Sequence, residues 1–247
     1  MPAVLTHARY SFLQLTRQPS VWPKVLLLVP VTEVLPYLFL GAAYVGSERL
    51  DAFFYTNLVW SFLASTTIQC LVWFQLVART SRFDVVLLAR GGLPGWTVGF
   101  TVAVGSMYLV STALSCAVLG LVLGYRVQAL ALLLAMVVAL PCALALVTVA
   151  LAVELAFSRT FHLVNVGLDG LQVLSCVLYP LSAMVALLRP AAVLSPVTWL
   201  NEYLRDARPA AAALGLVIAA ALVAAAFGSM RLAVRRYAVL GTAGRAA

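Results

Sequence analysis

Apolar runs long enough to cross a bilayer, separated by short charged breaks, dominate the pattern of this sequence. Six of them read as spans, at about 25–45, 53–77, 97–123, 129–157, 161–179 and 210–230, because a crossing needs roughly 20 residues at ~1.5 Å rise. The pattern predicts an all-α integral membrane protein, a single transmembrane domain of six helices over residues 1–247. Ahead of the first span, residues 5–21 mix Arg9 and Arg17 with Tyr10, Phe12, Leu13 and Leu15, which predicts an amphipathic helix on the membrane surface. After Tyr179 and Pro180 the apolar pieces are broken by Pro190, Pro196 and Pro209. Such pieces are too short to cross, so Leu181–Leu188 and Val197–Arg208 are expected to be two brief re-entrant helices shielded by neighbouring protein.

The most charged interruption is Arg79–Pro94, which places three arginines and one aspartate between two spans. Ser81 with Asp84 has the spacing of a capping box, and Gly91, Gly92 and Pro94 supply a stop, so a short helix over 82–90 is predicted. Phe83, Val85, Val86, Leu87 and Leu88 cover most of its circumference, while Arg82, Asp84 and Arg90 point in different directions. Two readings fit: a peg seated in a protein groove, or a lipid-facing interfacial helix with basic snorkelling ends.

Polar residues inside the spans come next. Glu33 lies between Pro30 and Pro36 in the first span, where an ionised carboxylate costs roughly 2.5 to 3.5 kcal/mol on insertion scales. It is expected to hydrogen-bond within the bundle or to lie on a transport path. Asn57, Ser61, Ser65 and Gln69 recur every four residues in the second span, a stripe suited to helix contact. In the fifth, His162, Asn165, Asp169, Gln172, Cys176 and Tyr179 recur at steps of three and four and share one face. A polar face in a membrane helix looks at protein or water, so this helix is either central to the bundle or part of an oligomer interface. Packing seam and substrate-lining face both remain open for it.

Composition supports the class, with 64% hydrophobic and 10% charged residues in 247. The net charge of +8 would suggest nucleic acid in a soluble protein, but here it sits in short loops and reports orientation. Arg9, Arg17, Lys24, Arg79, Arg82, Arg90, Arg159, Arg231, Arg235, Arg236 and Arg245 fall on one side, against Arg49, Arg126, Arg189, Arg205 and Arg208 on the other. The richer side is expected to be cytoplasmic, which puts both termini inside a multi-pass plasma-membrane protein. Met1–Lys24 lacks an apolar h-region, so no cleaved leader is expected.

Catalytic signatures are not found. The only lysine, Lys24, follows a proline, so no GxxxxGK[ST] phosphate loop exists, and neither HExxH nor GxSxG occurs. Cys70, Cys116, Cys142 and Cys176 all lie in apolar runs without metal-ligand spacing and read as buried small hydrophobes. The chain is expected to be non-catalytic, to bind no metal or cofactor of its own, and to bind no nucleic acid.

Four places resemble the permease subunits of type-2 ABC exporters, in the branch that exports drugs, antibiotics and nodulation factors. Ser175-Cys-Val-Leu-Tyr-Pro is similar to the family's S-G-x-x-[YF]-P motif at the end of span five, with Cys176 where glycine is usual. Leu194-Ser-Pro-Val-Thr-Trp-Leu-Asn-Glu-Tyr-Leu-Arg205 is similar to the Pro-[LV]-T…R motif after the outer re-entrant helices. Tyr179, Pro180, Pro196, Thr198 and Arg205 are the matching positions. Thr32-Glu-Val-Leu-Pro-Tyr resembles the acidic, aromatic first span, and Arg82-Phe-Asp-Val-Val-Leu-Leu resembles the coupling helix without its glycine-threonine pair.

The resemblance implies the membrane half of an ATP-driven exporter. Two permease chains, identical or paralogous, would sit on cytosolic ATPase subunits that bind ATP and Mg. Residues 82–90 would be the cytosolic coupling helix, with Arg82, Phe83, Asp84, Leu87 and Arg90 touching the ATPase. Glu33, Tyr37, Asn57, Asn165, Asp169 and Gln172 would line the path or the permease interface. Few charges and many aromatics in the spans suit a hydrophobic or amphipathic cargo such as a drug, antibiotic or lipid. A lipid-linked glycan exporter is the rival within transport, and a membrane scaffold or enzyme subunit the rival outside it.

Overall fold

An apolar segment in hydrocarbon satisfies its own backbone only as a helix, and helices make up all the regular structure found here among the described residues. A computed structural model describes residues 2–19, 21–23, 25–26, 31, 47–78, 86–88, 91–123, 129–157, 161–177, 179–206 and 208–240. Its main elements are α1 (Pro2–Thr16), α2 (Ser47–Ala78), α3 (Gly92–Leu123), α4 (Ala129–Ala156), α5 (Phe161–Leu174), α6 (Arg189–Val193), α7 (Pro196–Asp206) and α8 (Pro209–Leu240). Four of these contain stretches long and apolar enough to cross a membrane: Phe53–Ala78, Gly92–Val118, Leu134–Ala156 and Pro209–Arg235. That count fits an all-α membrane protein. Most of the expected first span, with Glu33 and Tyr37, lies outside the described residues, as do Arg82, Phe83, Asp84 and Arg90 of the expected coupling helix.

Several boundaries differ from the sequence reading. Residues 47–52, expected as a loop, already belong to α2, whose first turns carry Glu48, Arg49 and Asp51. Glu and Arg are good helix formers, so charge alone does not break a helix. Gly92 and Pro94 also open α3, since proline is at home in a first helical turn, while Gly91 and Gly92 take the positive φ that suits a break between helical segments. Helix α5 stops at Leu174, and its 14 residues span only about 21 Å. Leu181–Leu188 forms one 3-10 turn at Leu181–Ala183 and no helix beyond it, whereas Arg189–Val193 winds into α6 with proline near its start.

Helix α4 is the centre of the bundle. It packs on α2, α3, α7 and α8, most extensively on α8. In its apolar window 61% is buried, against 17% for α8, which therefore presents most of its surface outward. Two ends of the bundle can be told apart. At one end Gln75 of α2 hydrogen-bonds Glu154 of α4 at 3.1 Å. Near it, Trp96 stacks on Phe100 with ring centroids 4.8 Å apart, tying α3 to Trp73 and Phe74 of α2. Helix α1 belongs to this end, and α7 lies at the other.

Helix α1 packs on α3 through Val4, His7, Ala8, Ser11 and Leu15, a stripe at helical spacing whose Ser11 and Leu15 are fully covered. Its opposite side keeps Leu5, Tyr10, Phe12 and Leu13 exposed. The Trp22 indole donates to the Thr16 carbonyl at 2.9 Å and caps the helix end.

Candidate functional site

The chain has to stop being helical after α5, and the carbonyls released there determine the local architecture. A helix end leaves its last carbonyls without intrahelical donors, and in an apolar surrounding each unsatisfied one costs several kcal/mol. Cys176 turns the chain with φ at 55°, the left-handed region that favours glycine. Beyond it no continuing helix offers N–H groups.

Side chains take over. The Tyr179 hydroxyl donates to the Val173 carbonyl at 2.7 Å, and Thr198 reaches Leu174 at a long 3.4 Å. Asn201 Nδ2 donates to Ser175 at 2.8 Å, and Arg205 Nη2 donates to Cys176 and Val177 at 2.5 and 3.1 Å. Thr56, at the start of α2, donates to Val177 at 2.8 Å. The run of carbonyls from Val173 to Val177 is thus held without a gap.

Helix α7 supplies most of these donors because Thr198, Asn201 and Arg205 stand at positions i, i+3 and i+7 and share a face. Pro196 begins the helix, where its missing N–H is no loss, and is buried. Gly215 of α8 lets α7 lie close, since a Cβ there would be 3.1 Å from the Pro196 carbonyl oxygen and 3.3 Å from Trp199 Cβ. Trp199 itself donates from its indole to Val193 at 2.8 Å and fixes α6 against α7.

Electrostatics reinforces the brace. Glu202 pairs with Arg205 at 3.2 Å, with their side chains only 21% and 13% exposed, and its other contact receives the Leu181 N–H at 2.9 Å. One carboxylate therefore ties α7 to the chain just after Pro180, which sits exposed ahead of the 3-10 turn. Burial pulls the Arg205 guanidinium below its ordinary value, and Glu202 beside it pulls the other way. The group acts as a fixed cation aimed at two carbonyl dipoles.

Cys176 invites a direct check. A β-branched residue tolerates the left-handed region worst. Cys176→Val should lose about 2 kcal/mol or more of stability in detergent, while Cys176→Gly should stay within about 1 kcal/mol, strain relief offsetting the lost sulfur contacts. Thermal unfolding of the two purified variants measures this.

The remaining expected site residues lie elsewhere. Asn57 is half-buried on α2, on the same partly open side as Ser61, Ser65 and Gln69. On α5, Asn165 and Gln172 are half-buried while His162 and Asp169 are exposed, and the buried Asn165 Oδ1 has no hydrogen-bond partner among the described residues. Among the described elements helix α5 packs chiefly on α2 and α6. Leu87 is half-buried against the main core, and the exposed side chain of that turn is Leu88, at 87%. Sequence reasoning missed Asn201, Glu202 and Thr56. The first two were findable from the helical spacing of Thr198 and Arg205, but nothing in the sequence marks Thr56. Among the described residues no three His, Cys, Asp or Glu side chains gather in a way that could hold a metal.

No protein-family model and no curated protein matches the chain.

Proposed function

We propose that this chain is the transmembrane permease subunit of an ATP-driven exporter of the type-2 ABC class, moving a hydrophobic or amphipathic cargo out of the cell. The observation that carries the reading is the braced turn. Tyr179, Thr198 and Arg205, three of the five residues on which the family resemblance rests, all donate to carbonyls within residues 173–177. The position where the family has glycine is the one with a left-handed φ. Unrelated apolar helices have no reason to combine these features.

In this reading the chain has six spans, with both termini and residues 82–90 on the cytosolic side and α6 and α7 outside. Separate ATPase subunits bind ATP and Mg and move the 82–90 segment, and rigid-body motion of the spans opens the path. A second permease chain, identical or paralogous, covers α5. Helix α5 supports this because its polar face borders surface exposed in the single chain, with Val166 69% and Leu163 66% exposed beside it. A polar face left to lipid would be costly, and a facing chain removes that cost.

Affinity purification from native membranes is the primary test: a nucleotide-hydrolysing subunit should co-purify. Phe83→Asp should strip that subunit and reduce ATP-dependent export about tenfold or more by burying a charge in an apolar contact, with membrane insertion unchanged. Unchanged export in this variant, or a native complex without an ATPase, would remove the proposal's mechanism.

A further inference from the structure

Between α2, α4, α5, α7 and α8 lies a cavity of about 230 Å³ that the braced turn roofs over. Its back wall is Trp60, Cys142 and Ala145, which are 6%, 1% and 4% exposed and so belong to the rigid core. Ser175 and Ser195 contribute the polar atoms of the roof, and their hydroxyls are hydrogen-bonded to each other at 2.9 Å. The lining is otherwise apolar, so little in it selects a polar group.

The mouth is different. Leu194 and Leu222 line it and are 70% and 43% exposed. Leu222 lies on α8, whose apolar span keeps most of its surface outward and therefore toward hydrocarbon in a membrane. It stands thirteen residues, about 20 Å, along α8 from Pro209, near the middle of a hydrocarbon core ~30 Å thick. The cavity thus opens sideways into the acyl-chain region, at the depth where chain ends lie.

Size narrows the occupant. The volume exceeds the ~150 Å³ apolar cavity that binds a benzene ring yet falls short of the ~300 Å³ at which drug-sized pockets begin. We infer that the cavity is a binding site for the methyl-terminal segment of a phospholipid acyl chain, drawn from the leaflet in which α6 and α7 sit. The bound segment fills the space under the brace and packs α7 and α5 against α4. This inference rests on the membrane-embedded fold and not on the transport reading, so either can fail alone.

The test uses the full chain in phosphatidylcholine vesicles carrying a trace of phosphatidylcholine with a photoactivatable diazirine near the methyl end of one acyl chain. Cross-linked positions are mapped by mass spectrometry. Label is expected within residues 142–146 and 171–175 as well as on outward α8 residues such as Val217. A probe with the diazirine next to the acyl carbonyl should miss the first two segments. Ala145→Phe fills the cavity and should cut label in those segments at least about fivefold while sparing Val217, since a built-in clash rejects the occupant without altering the surface. If Ala145→Phe does not fold, Leu222→Trp, which narrows the mouth from an exposed position, should give the same selective loss. Label confined to outward residues in the parent protein, or cavity label unchanged in a folded variant, would overturn the assignment.

Discussion

Arg205→Ala should lower the stability of the purified protein by about 3 kcal/mol, or about 6 to 12 °C in unfolding temperature for a chain of this size. The magnitude follows from what the substitution leaves behind. Two carbonyls, those of Cys176 and Val177, lose a charged donor, though Val177 retains Thr56. Glu202 loses its cation while still largely covered and keeps only the Leu181 N–H. Breaking one side of a covered pair costs more than the pair was worth, because the orphaned charge stays in place. Lysine in the same position restores the charge but not the planar fork that reaches two acceptors, so Arg205→Lys should recover part of the loss. Arg208→Ala is the control. Its partner Asp206 is 3.4 Å away, but the side chains are 76% and 44% exposed, and such pairs contribute little. Thermal unfolding of the three variants in one detergent separates these outcomes, and equal melting of Arg205→Ala and the parent would show that the brace bears no weight.

The spacing of polar residues in the sequence anticipated which positions matter around α7 better than it anticipated how they act. Thr198 and Arg205 stand two turns apart on one helical face, and that face turns toward the end of α5, where the released carbonyls need donors. What spacing cannot reveal is a partner far away in sequence. Thr56 reaches Val177 across 121 positions, and its neighbours on α2 read as an ordinary apolar span. The helix expected over Leu181–Leu188 stops after one 3-10 turn because an apolar run of that length is too short to repay helix nucleation. Periodicity found the polar face of α5 but could not choose between bundle centre and interface. Four of the six expected spans were legible from apolar length, which hydrocarbon thickness sets directly.

At the opposite end the largest expected effect belongs to a residue with no side chain. A Cβ on Gly99 of α3 would sit 2.6 Å from His7 Cβ, 2.8 Å from the Ala8 nitrogen and 3.0 Å from the Val4 carbonyl oxygen of α1. Two of these are backbone atoms and the third is a Cβ, so no rotamer change relieves the clash and α1 itself must move. Gly99→Val should therefore cost about 3 kcal/mol or more, at the upper end of overpacking, despite losing a poor helix former. The movement is visible independently of stability. Arg9 of α1 and Arg17 just beyond its end are exposed, and trypsin cleavage after them is limited by how firmly the helix is held. Displacing α1 from α3 should speed cleavage at both sites roughly tenfold for each ~1.4 kcal/mol of packing energy lost. Gly228→Ala on α8 supplies the contrast, because a Cβ there meets nothing within 4 Å. It should raise stability by up to about 1 kcal/mol through helix propensity and leave trypsin cleavage unchanged. If Gly99→Val instead melted like the parent with unaltered cleavage, α1 would not be seated on α3.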